Sequence, residues 1–228
     1  MNNFSDFGEY GKISDNLSIN QCIYHCFKYI CKEDRKKFRK KFRKNPHDSD
    51  EIMHILRELI LGAYLGYSNY KIRYEFNISG QTPDWSVVIN KSKSDCIIEL
   101  VNFHIDKATE KQIKVHREKS RMFVFCRDQN KDNLDMLHQS ILLKIQKYRK
   151  LASELKIPYI ISLYIDFMIT VDLDEVKECI FEKGINLFKN YPEVSGLLCF
   201  RESNGKYIFN YLQNQHALNK VEIADGIF

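Results

Sequence analysis

The sequence predicts an α/β fold with a mixed central sheet, whose αβββαβ core is flanked by helices. Three features of the chain lead to this prediction. An amphipathic helical pattern begins near residue 48, three strand patterns follow between residues 70 and 104, and a long helical pattern then precedes the apolar segment 158–165. Helices before this core, and a helix and a hairpin after it, complete the expected architecture.

The chain of 228 residues suits one domain with a small appendage. We expect a basic, helical N-terminal extension at 1–47 and an α/β domain at 48–228, with its core at 48–165. Seven cysteines, an odd number without a pairing pattern, indicate a reducing and therefore cytoplasmic location. The N-terminus lacks the pattern of a signal peptide, and Asp166 interrupts the most apolar window, so we expect no membrane insertion.

The first predicted helix covers residues 17–31, "LSINQCIYHCFKYIC". Cys22, His25 and Cys26 would share one face of this helix. These residue types can bind zinc, but no second ligand pair with the spacing of a zinc finger follows. The thiols are therefore expected to pack in the core.

A dense basic run, "RKKFRKKFRK", occupies residues 35–44. Phe38 and Phe42 lie four residues apart, so a helix here would dock one aromatic edge and present a basic face. Two interpretations remain open, a solvated helix face and a surface that contacts nucleic-acid phosphates. The predicted nucleic-acid-binding residues are Arg35, Lys36, Lys37, Arg39, Lys40 and Lys41.

The first helix of the core is expected to begin at Asp48 or Ser49, because either side chain can cap a helix N-terminus. Asp50 and Glu51 suit the first turn, where acidic side chains interact favourably with the helix dipole. Three strand patterns follow, "YKIRYEFNI", "DWSVVIN" and "DCIIELVNFH", and the polar turn "KSKS" joins the last two.

The polar segment 105–131 is interpreted as an insertion that contains a helix and the short strand "MFVFC". A long amphipathic helix follows at 133–156 and is closed by Pro158, after which "PYIISLYI" reads as a buried strand. The segment "DLDEVKECIFEKG" predicts a helix that stops at its glycine. The final pattern, "SGLLCFRESNGKYIFNYL", predicts a hairpin that turns at Asn204-Gly205.

Three carboxylates fall at special places in this pattern. Asp84 follows Pro83 at the start of one strand, Glu99 stands inside the next apolar strand, and Glu58 lies on the first helix of the core. A buried carboxylate is costly unless a cation compensates its charge. Structural roles remain open as well, because Asp84 could be a turn residue after proline and Glu58 a solvated helix position.

The order of elements, with Glu58, Pro83-Asp84 and Glu99 in these places, resembles the PD-(D/E)XK nuclease superfamily over residues 48–165. The resemblance implies a metal-dependent nuclease that hydrolyses phosphodiester bonds, in DNA rather than RNA. It implies that Glu58, Asp84 and Glu99 are catalytic and hold Mg²⁺ or Mn²⁺, which prefer such hard oxygen ligands.

The sequence departs from the pattern of this superfamily at Val101, where the lysine that positions the attacking water usually stands. Some members recruit this cation from the following helix, and "KIQKY" places Lys144 and Tyr148 four residues apart there. The resemblance therefore implies catalytic roles for Lys144 and Tyr148, with Lys147 as a competitor. Alternatively, these lysines serve only to keep the outer face of the helix solvated.

Two other functions remain open because of Val101. The chain could be a catalytically inactive relative that binds nucleic acid or a protein partner. It could also be an interaction module in which Asp84 and Glu99 pair with lysine or arginine side chains. DNA is the expected partner of the nuclease, and a homodimer is compatible with the sequence.

Overall fold

The computed structural model describes residues 13, 15–44, 48–88, 94–103, 115, 128–166, 173–181 and 186–228. The insertion predicted at 105–131 falls largely outside these residues, as do most of the "KSKS" turn and the predicted glycine stop at Gly184. The described helices are α1 (Leu17–Phe27), α2 (Lys32–Lys44), α3 (Ser49–Tyr67), α4 (Asp128–Leu155), α5 (Leu173–Phe181) and α6 (Leu187–Asn190). The described strands are β1 (Ile72–Tyr74), β2 (Trp85–Val88), β3 (Ser94–Phe103), β4 (Tyr159–Ile165), β5 (Gly196–Ser203), β6 (Lys206–Gln213) and β7 (Gly226–Ile227).

The seven strands form a mixed sheet in chain order. Strands β4 and β5 are parallel, whereas β1–β2, β2–β3, β5–β6 and β6–β7 are antiparallel pairs. This confirms the predicted α/β class with its mixed sheet. The chain divides into two compact units, Met1–Ile98 and Glu99–Phe228, and each is described by itself below.

In the first unit, helix α3 begins where the sequence predicts. The Asp48 side chain accepts hydrogen bonds from the backbone N–H groups of Asp50 and Glu51, at 3.1 and 3.0 Å. Two predicted boundaries in this unit are wrong. The helix predicted at 17–31 ends at Phe27, and a separate helix starts at Lys32, with the Arg35 side chain bonded to the Ile30 carbonyl at 2.8 Å.

The second wrong boundary concerns the strand predicted at 70–78, which is limited to Ile72–Tyr74. Glu75 has a φ of 44°, and Ser79 and Gly80 also have positive φ values, so the backbone turns instead of extending. A short bridge between Ile78 and Gln81 closes this turn.

In the second unit, the hairpin of β5 and β6 turns at Asn204 and Gly205, as predicted. Their φ values of 52° and 73° are those of a two-residue turn that matches the twist of the strands. All seven residues of β4 are buried, in agreement with the predicted apolar strand. Helix α6 and strand β7 were not predicted. Among the described residues, no helix is long and apolar enough to cross a membrane.

Candidate functional site

Glu99 lies in the middle of β3 with its side chain fully buried, and Lys144 of α4 pairs with it. The Lys144 ammonium donates a hydrogen bond of 2.6 Å to Oε2 of Glu99, and 28% of the lysine side chain is exposed. The lysine thus compensates a charge that would otherwise be buried at a cost of several kcal/mol. Its partly exposed side chain leaves this ion pair next to solvent.

Aromatic packing fixes the position of Lys144 on α4. The hydroxyl of Tyr159, on β4, donates a hydrogen bond of 2.7 Å to the Lys144 carbonyl. Tyr148, one turn further along α4, is fully buried, with its ring centroid 6.1 Å from that of Tyr159. The backbone that carries the lysine is therefore anchored to β4 at two points.

Lys147 and Val101 do not contribute to this pair. Lys147 is exposed, and its ammonium lies 4.7 Å from the centroid of the Tyr148 ring. Val101 is buried and apolar, so it can neither position a water molecule nor stabilise a developing charge. Of the two lysines considered from the sequence, Lys144 is the one that contacts Glu99.

In the first unit, Glu58 on α3 is also buried, with 4% of the residue exposed, and three side chains bind its carboxylate. Oε2 accepts a hydrogen bond from the Tyr74 hydroxyl and lies 3.4 Å from the Lys41 ammonium. Oε1 lies 3.3 Å from Nε2 of His54, one helical turn before it. Burial by itself would raise the pKa of Glu58, but His54, Lys41 and Tyr74 outweigh it and lower this pKa.

Lys41 connects α2 to this carboxylate and to a second one. Its ammonium lies 2.9 Å from Oε1 of Glu75 and 4.9 Å from the centroid of the Tyr74 ring. Burial disfavours the charged lysine, but Glu58 and Glu75 outweigh this effect and raise its pKa. Lys41 is therefore the internal counter-ion of Glu58 and Glu75, which are termed the acidic cluster below.

Asp84, like Glu58 and Glu75, influences the pKa of the Tyr74 hydroxyl. Burial raises the pKa of Tyr74 far above its usual value, and the charges of Glu58, Glu75 and Asp84 raise it further. Asp84 itself is half-buried, and its backbone carbonyl accepts a hydrogen bond of 3.1 Å from the Glu75 N–H. Glu58 and Asp84, two of the three predicted site carboxylates, thus act on the same phenol group.

The six cations predicted to bind nucleic acid separate into two sets on α2. Arg35 donates to a backbone carbonyl, Lys37 donates to the carbonyls of Tyr74 and Glu75, and Lys41 meets the acidic cluster. The other three surround a surface depression together with two further cations of the same helix. The residues of this depression are Lys36, Arg39, Lys40, Arg43 and Lys44.

The oxygen ligands of Glu58 and Asp84 are of the type that Mg²⁺ and Mn²⁺ prefer. The Glu58 carboxylate, however, already contacts Lys41, Tyr74 and His54. Within the part of the chain that the structure describes, no group of three His, Cys, Asp or Glu side chains is arranged to hold a metal ion. The carboxylate oxygens are therefore suitable ligands for a divalent metal. In the described structure, however, Lys41 supplies the positive charge next to the Glu58 carboxylate.

The chain was also compared with known proteins. No family model, no curated protein and no solved structure matches it.

Four residues near Glu58 were not predicted to belong to its surroundings: Lys41, His54, Tyr74 and Glu75. One of them had a sequence signal, because His54 lies four residues before Glu58 and shares its helix face. Tyr74 and Glu75 lie on and just after β1, and Lys41 belongs to the basic run. Their approach to Glu58 depends on tertiary packing, which no local pattern encodes.

Proposed function

We propose that this chain is a metal-dependent nuclease that hydrolyses phosphodiester bonds, with DNA as its substrate. The observation that carries the proposal is the ion pair between Glu99 and Lys144. A carboxylate on a central strand with a lysine from the next long helix is the pair that the sequence resemblance implies when the usual lysine is replaced by Val101. The proposal includes a cytoplasmic location, because the six described cysteines form no disulfide.

In this proposal the metal ligands are those that the sequence resemblance alone implies, Glu58, Asp84 and Glu99. A bound Mg²⁺ or Mn²⁺ supplies Lewis-acid stabilisation of the scissile phosphate and lowers the pKa of a bound water molecule. The protein groups have separate tasks. Lys144 stabilises the negative charge that develops on the phosphate and orients the attacking water, and Tyr148 acts as a positioning residue behind it.

Cleavage of supercoiled plasmid DNA with Mn²⁺ or Mg²⁺ tests this proposal. Asp84→Asn and Glu99→Gln are expected to abolish cleavage while the circular dichroism spectrum stays native. Lys144→Ala should lower turnover by roughly 10²-fold or more, as expected for the loss of one charge-stabilising group. Lys147→Ala is the matched control on the same helix and should retain activity. Equal activity in the Lys144 and Lys147 variants would refute the proposed role of Lys144.

A second candidate function is nucleic-acid binding without cleavage. The observation that favours it is the set of protein partners that surround the Glu58 carboxylate, because Lys41 already supplies the cation there. If the wild-type chain binds DNA but cleaves it with neither metal, this second function is the correct one. Val101→Lys then provides a further check, since it restores the usual lysine beside Glu99.

A further inference from the structure

One face of α2 concentrates positive charge at the surface. Lys36, Lys40 and Lys44 follow one another at intervals of four residues, and Arg39 and Arg43 form a second row beside them. The five side chains line one surface depression of about 450 Å³. With a rise of about 1.5 Å per residue, this face, termed the basic face below, extends over roughly 12 Å of the helix.

The opposite side of α2 packs against the interior of the first unit. Phe38 and Phe42 are fully buried, and the Phe38 ring stacks on Tyr74 with 4.0 Å between the centroids. Lys37 and Lys41 point to the same side and bind Tyr74 and Glu75. The basic face is therefore held in a fixed orientation by the packing of the other side.

The chemistry of this face indicates which kind of polyanion it fits. An amphipathic helix binds a lipid surface through its apolar side, and that side of α2 is buried. A protein partner is usually anchored by Trp, Tyr and Arg side chains that are buried in well-packed pockets, and the basic face offers two arginines and three lysines but no aromatic side chain. Single-stranded nucleic acid is held largely by stacking on aromatic side chains, and Phe38 and Phe42 are inaccessible to bases.

We propose that the basic face of α2 binds the phosphate backbone of a double-stranded nucleic acid. A duplex carries one negative charge per about 1.7 Å of axis, which is roughly seven charges over the 12 Å of this face and suits five cations. The inference deepens the proposed nuclease function and depends on it for the role of the duplex as substrate. Binding itself requires neither metal nor Glu99, so it is measured separately from cleavage.

Contacts to phosphates alone carry no sequence information and depend strongly on salt. Each phosphate neutralised in B-DNA contributes about 0.9 to the slope of log affinity against log salt concentration. Five contacts therefore contribute roughly 4.5 to the slope. This corresponds to a loss of affinity of roughly 500-fold between 50 and 200 mM salt.

Fluorescence anisotropy with a 20-base-pair DNA duplex in EDTA tests the inference in the full chain. The variant carries Lys36→Gln, Arg39→Gln, Lys40→Gln, Arg43→Gln and Lys44→Gln. Its salt slope is expected to be lower than that of the wild type by roughly 4.5. A milder variant, with the three lysines changed and the two arginines kept, should lower the slope by roughly 2.7. It keeps the inference testable if the fivefold variant does not fold.

The matched control removes the same number of charges from exposed lysines of the second unit: Lys150, Lys156, Lys189, Lys206 and Lys220, each changed to Gln. It should leave the slope within about one unit of the wild-type value, because these residues come from different elements and not from one helix. A similar decrease in the control would overturn the inference, since net charge alone would then explain binding. A slope that stays unchanged in the milder variant would overturn it as well.

Three further probes define the ligand. Duplex RNA of the same length is expected to bind with a similar slope, because the shared chemistry is that of the phosphate backbone. Single-stranded DNA should bind more weakly. Binding to vesicles of phosphatidylserine and phosphatidylcholine should fall less in the milder variant than binding to the duplex does. Preferential loss of vesicle binding would assign the face to membranes and overturn the inference. If the wild type binds the duplex in EDTA with the expected slope but cleaves it with neither metal, the nuclease proposal fails while this inference stands.

Discussion

At the scale of single residues, two buried carboxylates each meet a lysine that a helix supplies. Glu99 pairs with Lys144 within the second unit, and Glu58 meets Lys41 within the first. A buried ion pair gives little net stability, because desolvation of both charges offsets their attraction. The presence of such a pair is therefore weak evidence that it stabilises the fold.

Removal of Lys144 is expected to be costly, although the pair itself contributes little. Lys144→Met should lower the free energy of unfolding by about 3 kcal/mol, because the buried Glu99 carboxylate loses its counter-ion. The double variant Lys144→Met with Glu99→Gln should recover most of this loss. Urea denaturation at pH 7 measures both values. A double variant no more stable than Lys144→Met alone would mean that the cost arises from helix packing and not from the charge.

The pH dependence of stability should report on Glu58. Its pKa is lowered in the folded state, so its carboxylate contributes stability above its ordinary pKa of 4.5, and this contribution is lost as the pH falls through the folded-state pKa. Between pH 4.5 and pH 3, the free energy of unfolding should therefore fall less steeply in Glu58→Gln than in the wild type. The control is Glu178→Gln, which changes an exposed carboxylate and should follow the wild-type curve. Identical slopes in wild type and Glu58→Gln would contradict the ion-pair network around Glu58.

At the scale of elements, helix α2 both packs against the first unit and presents the basic face. Its buried side holds Phe38 and Phe42 against the first unit, and its outer side carries the basic face. Asp34, which is fully buried, adds a second anchor because its Oδ2 accepts a hydrogen bond of 2.9 Å from the Tyr74 N–H. The docking of α2 therefore places Lys41 at Glu58 and orients the outer cations at the same time.

Loss of one aromatic anchor should destabilise this arrangement. Phe38→Ala removes a fully buried ring that stacks on Tyr74 and lies 5.8 Å from the Trp85 ring, so we expect a loss of about 3–5 kcal/mol of unfolding free energy. Leu143→Ala on α4 is a suitable control, since 67% of Leu143 is exposed and its loss should change the stability by less than about 0.5 kcal/mol. Chemical denaturation measures both. Similar small effects in the two variants would show that α2 is only loosely docked.

Local signals account for the elements that the sequence predicts well. The Asp48 cap and the Asn204-Gly205 turn act through neighbouring residues, so their patterns can be read directly. The break between α1 and α2 and the end of β1 at Glu75 were missed, because apolar and polar residues continue the earlier pattern there. Lys144 was chosen as a candidate partner of Glu99 only through the resemblance. The approach of Lys41 to Glu58 depends on the packing of α2 and was not predictable from the spacing of residues.

At the scale of the whole molecule, the distribution of charge is uneven. Helix α2 contains nine cationic and two acidic side chains, so its formal charge of +7 exceeds the +5 of the entire chain. The remainder of the sequence is therefore slightly acidic. A local positive field of this kind attracts polyanions to one surface without raising the overall charge, which agrees with the proposed binding of a duplex.

Thermal melting with divalent metal tests the proposed nuclease function on the intact chain. A metal that binds the native state at 100 times its Kd adds about 2.7 kcal/mol of stability, which for a chain of this size is a rise in Tm of roughly 5–11 °C. Mn²⁺ should produce this rise in the wild type and in Lys144→Ala, but not in Asp84→Asn. Lys41→Gln should increase the rise, because its ammonium no longer competes for the Glu58 carboxylate. If Mn²⁺ and Mg²⁺ leave the Tm of the wild type unchanged while DNA still binds in EDTA, lysines are the permanent counter-ions of these carboxylates, and the chain binds nucleic acid without cleaving it.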